Sequence, residues 1–521
     1  GKNGHYTEAR AYDTQTYADV MLNINKTFGD DWSLTANVGA SLNNIKTDEL
    51  SYRGPIQENG LPNIFNVFDL DDTKKRAEKV GWHDQTQSVF ASVEVGWKQM
   101  LYLTATGRND WASQIAGSPS KSFFYPSVGL SWVPSSTWDL GNAFSYLKLR
   151  GSIASVGLPF PRFLTTPTYE YDATGKIWKD KTHYPIGDLK PERTITYEVG
   201  IDARLWKNIS LSASWYSADT KNQTFDPALP PSSSYTTIYL QTGHVRNTGV
   251  ELSLGYSNQW RDFGWSSNFT FSWNKNEIVD LASGALNPVP GQPLNLSELD
   301  IKGLGKAKYI LKQGGTLGDL YTTSDLKFND NGYVEVDKAG NLLLTDEGEQ
   351  IYLGSVFPSE NLAWRNDFRY KGINLGLLFT GRIGGICYSA TQANMDLYGV
   401  SEVSAAARDA GGVLINGREM VDAQKWYQAI GSQSGLPQYY TYSATNFRLQ
   451  ELSLGYTLPR KWFRNKMVLT VSFVGRNLWM IYCKAPFDPE AVASTGLSYQ
   501  GIDYFMMPSL RSLGFNVKFE F

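Results

Sequence analysis

The tightest constraint on this chain is an alternation of apolar and polar residues with period two. From Trp32 to Leu42, Trp32, Leu34, Ala36, Val38, Ala40 and Leu42 fall on one face and Ser33, Thr35, Asn37, Gly39 and Ser41 on the other. Side chains alternate across a β-strand, so such a run is a strand held between an apolar and a polar surrounding. A preceding strand with Val20, Leu22 and Ile24 joins it through Gly29-Asp30-Asp31 alone. Val89, Ala91, Val93, Val95 and Trp97 make the next strand, which turns at Lys98-Gln99-Met100 into Leu101, Leu103 and Ala105. The stretch from Asn44 to His83 reads as a long polar excursion, and Gly1 to Asp13 as a polar loop.

The rhythm of short turn, strand, long loop, strand continues. Strands are expected near 126–133, 146–156, 194–206, 209–217, 247–257, 265–274, 362–370, 373–387, 447–458 and 467–479. Tight turns such as Lys207-Asn208 and Lys371-Gly372 alternate with long loops near 222–244 and 388–441. Residues 275–360 hold either one more hairpin, with Asn331-Gly332 as its turn signal, or one elaborate outer loop. The last strand sets Leu513, Phe515, Val517, Phe519 and Phe521 against Gly514, Asn516, Lys518 and Glu520. Segregated short and long connections mark an antiparallel transmembrane β-barrel, because a sheet in lipid must close to satisfy its edges. A sandwich would not sort its connections this way, and a propeller would show a blade repeat. Phe515, Phe519 and the terminal Phe521 resemble the assembly signal of bacterial outer-membrane barrels.

Composition agrees. The 521 residues exceed what one soluble core usually holds, and no run of ~18 apolar residues offers a helical span. A net charge of −3 gives no reason to expect nucleic acid. The chain opens Gly1-Lys2-Asn3, without initiator Met or signal peptide, and so reads as a mature piece or a fragment. Cys387 and Cys483 are expected to stay unlinked, because they fall two strand spacings apart, roughly 10 Å, beyond the ~7 Å a disulfide tolerates.

A family resemblance rests on motifs in order. They are Arg108-Asn109-Asp110-Trp111-Ala112-Ser113, Tyr125-Pro126-Ser127-Val128-Gly129, Leu147-Lys148-Leu149-Arg150-Gly151-Ser152, Leu189-Lys190-Pro191-Glu192-Arg193 and Arg246-Asn247-Thr248-Gly249. Phe447-Arg448-Leu449-Gln450-Glu451-Leu452-Ser453-Leu454-Gly455-Tyr456, Gly475-Arg476-Asn477-Leu478 and Phe487-Asp488-Pro489-Glu490 follow. Together they resemble the SusC/RagA family of TonB-dependent transporters of Bacteroidetes. The resemblance implies fifteen to seventeen strands of a barrel of about twenty-two, with residues 1–521 as its C-terminal part. The plug domain and TonB-contacting segment are absent from this chain, so plug and early strands are expected from an N-terminal part. Both terminal strands should run toward the short-turn side, which puts Gly1 on the extracellular side and makes the count odd. The implied partners are TonB, a SusD-like surface lipoprotein and outer-membrane lipid. The implied cargo is an oligosaccharide, with an oligopeptide as runner-up.

Most motif residues suit architecture: Gly249 and Gly475 permit close approach or bulges, and Pro459 ends a strand. Trp111, Tyr169, Tyr171, Tyr439 and Tyr440 are the candidate substrate contacts, since aromatic rings stack on sugar rings. The competing reading is anchoring at the membrane boundary or packing within the loops, and it is the favoured one for any single ring. Asp337, Asn341, Asp346 and Glu347 miss the EF-hand spacing, and the four histidines lack metal spacing, so neither metal nor cofactor is implied. No nucleophile elbow or phosphate loop occurs, which argues against an enzyme. A passive porin and a barrel hydrolase are the alternatives.

Overall fold

A computed structural model describes residues 4–60, 64–141, 143–165, 169–172, 177–180, 183–184, 189–225, 237–286, 293–346, 348–494, 496 and 499–521. Its main sheet takes fifteen strands in chain order. They are β1 (His5–Phe28), β2 (Trp32–Pro55), β3 (Arg76–Trp97), β4 (Leu101–Ala112), β5 (Phe123–Trp132), β6 (Phe144–Leu158), β7 (Glu192–Leu205) and β8 (Ile209–Phe225). Then come β9 (Leu240–Trp260), β10 (Phe263–Asp280), β11 (Glu360–Tyr370), β12 (Ile373–Ile383), β13 (Asn446–Thr457), β14 (Val468–Cys483) and β15 (Ser512–Glu520). Two compact units divide the chain: 1–130 with 154–181 and 185–193, and 131–153 with 182–184 and 194–521.

In the first unit the register sorts side chains by polarity. Asn23, Asn37, Ser92 and Thr106 line up across β1 to β4, and the neighbouring row on the opposite face is Leu22, Val38, Ala91 and Gly107. The second unit repeats the pattern, with Ser253, Thr270, Ala363 and Thr380 on one face and Leu254, Phe269, Trp364 and Phe379 on the other. Many of the apolar-face residues are exposed, including Val38 at 50 %, Leu254 at 44 % and Trp364 at 45 %. Water would penalise such a surface, and lipid would not.

Aromatic rings gather where the short turns are. Trp32 and Trp97 lie 6.3 Å apart at the β1–β2 and β3–β4 turns. In the second unit Trp260 stacks on Phe263 at 5.8 Å and Trp265 on Phe368 at 6.2 Å. Such girdles sit at the two membrane–water boundaries of transmembrane barrels. The turns themselves are tight: Trp206 and Lys207, and Lys371 and Gly372, take the positive φ that two-residue hairpin turns require.

Three sequence expectations need correction. Half of the polar excursion from Asn44 to His83 is strand, because β2 continues to Pro55 and β3 begins at Arg76, paired from Asn44↔Gln85 to Arg53↔Arg76. The polar start is not a loop either, since His5–Asp13 pairs with Thr47–Pro55; Gly1 itself lies outside the described residues. Apolar alternation reports which solvent one face meets and stops where lipid stops, whereas backbone pairing continues into water. The third correction concerns 388–441, which holds three helices, α1 (Ala390–Leu397), α2 (Glu402–Asp409) and α3 (Ala423–Ile430). Each starts on a capping side chain, Ser389, Ser401 or Asp422, that accepts a backbone N–H of the first turn.

The choice left open for 275–360 resolves as an elaborate connection. Between β10 and β11 it folds a separate four-stranded sheet from Glu298–Leu304, Ala307–Lys312, Asp319–Thr322 and Ile351–Ser355. Asn329 and Tyr333 close the turn at Asn331-Gly332. This segment, the helices and the β14–β15 link share a buried core. Among the described residues, of the twelve largest fully buried side chains only Ile278 lies on a main-sheet strand, whereas Tyr309, Leu311, Leu320, Leu326, Tyr388, Leu436 and Ile502 lie in these connections. No described helix is long and apolar enough to cross a membrane.

Candidate functional site: polar face and loop assembly

The polar face carries ionic groups in both units. In the first unit, Arg108 donates to Asp110 Oδ1 and Ser88 Oγ, each at 2.7 Å, and Tyr125 donates its hydroxyl to Asp110 Oδ2 at 2.7 Å. Arg108 also lies 5.7 Å from the Phe90 ring centroid. Gly39 makes room for that ring, as a Cβ there would sit 2.6 Å from it. A recess of about 470 Å³ beside these groups is lined by Asn37, Ser92, Thr106 and Ser127 among others. In the second unit, Arg150 pairs with Glu198, and Asp202 takes a 2.6 Å bond from Ser212. Arg365 bonds Asp367 at 2.9 Å and reaches Glu451 at 3.4 Å, which Arg476 meets at 3.2 Å. Alternating charges of both signs leave this face without a net repulsion toward either sign of charge.

Family-like motifs distant in sequence meet at the ends of β13 and β14. Arg448, 4 % exposed, grips Asp488 with two bonds, at 2.9 and 3.2 Å, bonds Asn446 Oδ1 at 3.0 Å, and lies 3.2 Å from Glu490. Ser509 donates to the same Asp488 carboxylate and accepts from Asn477 Nδ2 at 2.9 Å. Burial alone would push Asp488 up, but the bonds from Arg448, Ser509 and the Glu490 N–H outweigh it and hold the carboxyl below its ordinary range. Asn477 adopts φ +50 where the β13–β14 register breaks between Leu449 and Glu451, a bulge that aims its amide at Ser509. Asn247 accepts from Asn276 at 2.9 Å, and Asn276 in turn accepts the Leu317 N–H. These residues bolt connections to strands.

The candidate contact residues separate. Trp111 pairs with Gln87 and points to the face opposite Arg108 and Asp110, 44 % exposed. Tyr169 and Tyr171 belong to a short hairpin, Tyr169–Asp172 with Ile177–Asp180, and their side chains lie outside the described residues. Tyr440 is buried, and its hydroxyl donates to Asp396 at 3.0 Å. Tyr439 is 39 % exposed and meets Trp426 edge-on at 6.1 Å. Burial, with Asp325 nearby, pushes the Tyr439 hydroxyl up to about 12. Phe515, Phe519 and Phe521 share one parity and are 82, 53 and 94 % exposed. Cys387 and Cys483 are both free, as expected, and burial pushes the Cys387 thiol up to about 12. Among the described residues no group of His, Cys, Asp or Glu could hold a metal ion.

An antiparallel sheet with one lipid-suited and one polar face, girdled at its short turns, defines a transmembrane barrel wall. The chain belongs to the TonB-dependent receptor-like β-barrel family, whose profile matches residues 2–354. It is 25 % identical to TonB-dependent receptor P3 of Formosa agariphila over 566 aligned positions, covering 100 % of this chain and 54 % of that protein. It is 20 % identical to TonB-dependent receptor SusC of Bacteroides thetaiotaomicron, covering 64 % of this chain and 32 % of SusC. The chain thus spans about half the length of P3. Among solved structures, the RagAB peptide importer in its open-open state superposes with a TM-score of 0.73 at 17 % identity, over 99 % of this chain and 55 % of that one. The SusC/RagA resemblance read from the motifs therefore stands.

Proposed function

We propose that this chain supplies barrel wall and outer loops to an active importer of oligomeric nutrients in a Gram-negative outer membrane. The observation that carries the reading is the sorting of side chains into an apolar and a charged polar face in a chain of the TonB-dependent receptor family. The polar face is read as the lumen. A plug and the early strands come from an N-terminal part, and TonB acts through that part. A SusD-like lipoprotein covers the loops and delivers cargo, either oligosaccharide or oligopeptide. The similarity of fold to RagAB, a peptide importer, supports the second class as SusC-like sequence supports the family.

Of the aromatic candidates, Tyr439 is retained as a cargo contact for its exposed ring, and Trp111 is read as an anchor in lipid. Polarised transport of labelled maltohexaose and hexapeptides into cells carrying the full-length gene tests the function. Accumulation should vanish when TonB is deleted. Uptake that survives the deletion would replace the importer with a porin, and cargo cleavage by purified protein would replace it with an enzyme.

A further inference from the structure

At the long-loop end of β12 two ion pairs stand side by side. Arg448 and Asp488, 4 and 8 % exposed, are consumed by the fold. Arg382 and Glu490, 3.5 Å apart, are 49 and 35 % exposed. At that separation they attract one another without a hydrogen bond, so Arg382 keeps its donors; Glu490 turns one oxygen toward both Arg382 and Arg448, at 3.5 and 3.2 Å, and keeps the other to accept. Arg382 stands directly opposite Asn361 on the polar row that also carries Glu251 and Ser272. A cleft of about 290 Å³ opens here, lined by Arg382, Glu490, Asn361 and Gln500 and walled by Phe357, Pro358, Pro489 and Val492.

We propose that this cleft is a subsite for an uncharged stretch of peptide main chain with an apolar side chain. The proposal rests on the importer reading for the presence of cargo, and on the cleft for its chemistry. Arg382 only donates and Glu490 only accepts, so together they match the C=O and N–H of a peptide unit. The amides of Asn361 and Gln500 do the same. The four ionic groups, Arg382, Arg448, Asp488 and Glu490, sum to zero charge, which favours a neutral dipolar ligand over a free carboxylate. Proline and valine walls suit an aliphatic side chain. A pyranose would want a broad aromatic platform, and among the described residues Phe357 is the single aromatic ring in the lining. The volume lies at the low end of ligand pockets, ~300–1,000 Å³, so the cleft holds one or two residues of a longer chain.

The test uses the full-length transporter purified from outer membranes, with native mass spectrometry or calorimetry. The probes are a hexapeptide of alternating Leu and Gly with acetyl and amide ends, and maltohexaose. Arg382→Gln and Val492→Asp should each weaken peptide binding at least tenfold and leave maltohexaose unchanged. Both variants are first checked for heat-modifiable assembly; should one fail to assemble, the other decides by the same criterion. Peptide affinity unchanged in the assembled variants overturns the proposal. Loss of maltohexaose binding alone also overturns it and makes the cleft a sugar site. TonB-dependent maltohexaose uptake with no peptide binding overturns the cleft while leaving the importer standing. Variant-sensitive peptide binding without energised uptake does the reverse.

Discussion

Arg448 has more partners than its exposure would allow a surface arginine: Asp488 twice, Asn446 and Glu490. Removing one member of a buried pair strands the other charge at a cost of ~3–5 kcal/mol. Arg448→Met should therefore free the β14–β15 link, seen as new protease cleavage within 484–511 while the strands stay resistant. Acid should do the same to the native protein. A carboxyl held below its ordinary range, as Asp488 is, stabilises above its unfolded pKa, and that contribution is lost as pH falls through the folded one. Pepsin cleavage of this link should thus appear only below about pH 4, and in Arg448→Met it should lose its pH threshold. The motif containing Arg448 was visible in sequence, as was Asp488, but their pairing was not. Forty positions separate them, and only the strand register brings them together.

Among the elements, strand existence was legible and strand length was not. Trp32–Leu42 alternates over eleven residues, about the 9–11 that a tilted strand needs to cross lipid. β2 runs on to Pro55 through residues with no apolar face to betray them. The distinction can be measured. Val38→Arg should cost ~2–4 kcal/mol of insertion stability, as a charge set against lipid near the midplane. Leu50→Arg has the same parity and similar exposure, 41 against 50 %, yet lies past the alternating stretch and should assemble normally. Asn37→Arg, on the polar face, should also be tolerated. Equal yields for Val38→Arg and Leu50→Arg would show that the membrane boundary is misplaced. The helices escaped a reading tuned to period two because each is only eight residues long, although Ser389, Ser401 and Asp422 were present as capping signals.

Taken whole, the molecule stabilises its two parts by different means. The strands rely on backbone pairing and on solvent matched to each face, and the connections on a packed interior. Leu436→Ala, at a site with no exposure, should cost ~2–5 kcal/mol and melt the loop assembly ahead of the sheet, giving two calorimetric transitions. Phe521→Asp should act on the other part, lowering the yield of heat-modifiable protein without changing how the loops melt; normal yield would remove the assembly role assigned to the terminal strand. The packed core concentrated in the connections also governs how such a chain can drift over generations. At an apolar-face position such as Val38 the neighbour is fluid, so Leu, Ile or Phe fits as well and only polarity is policed. At Leu436 the neighbours are fixed atoms, and shape is policed too. Homologues should therefore exchange residues freely within the apolar class along the strands yet repeat near-identical volumes inside the loops, the reverse of the pattern usual in soluble enzymes, where surface loops vary fastest.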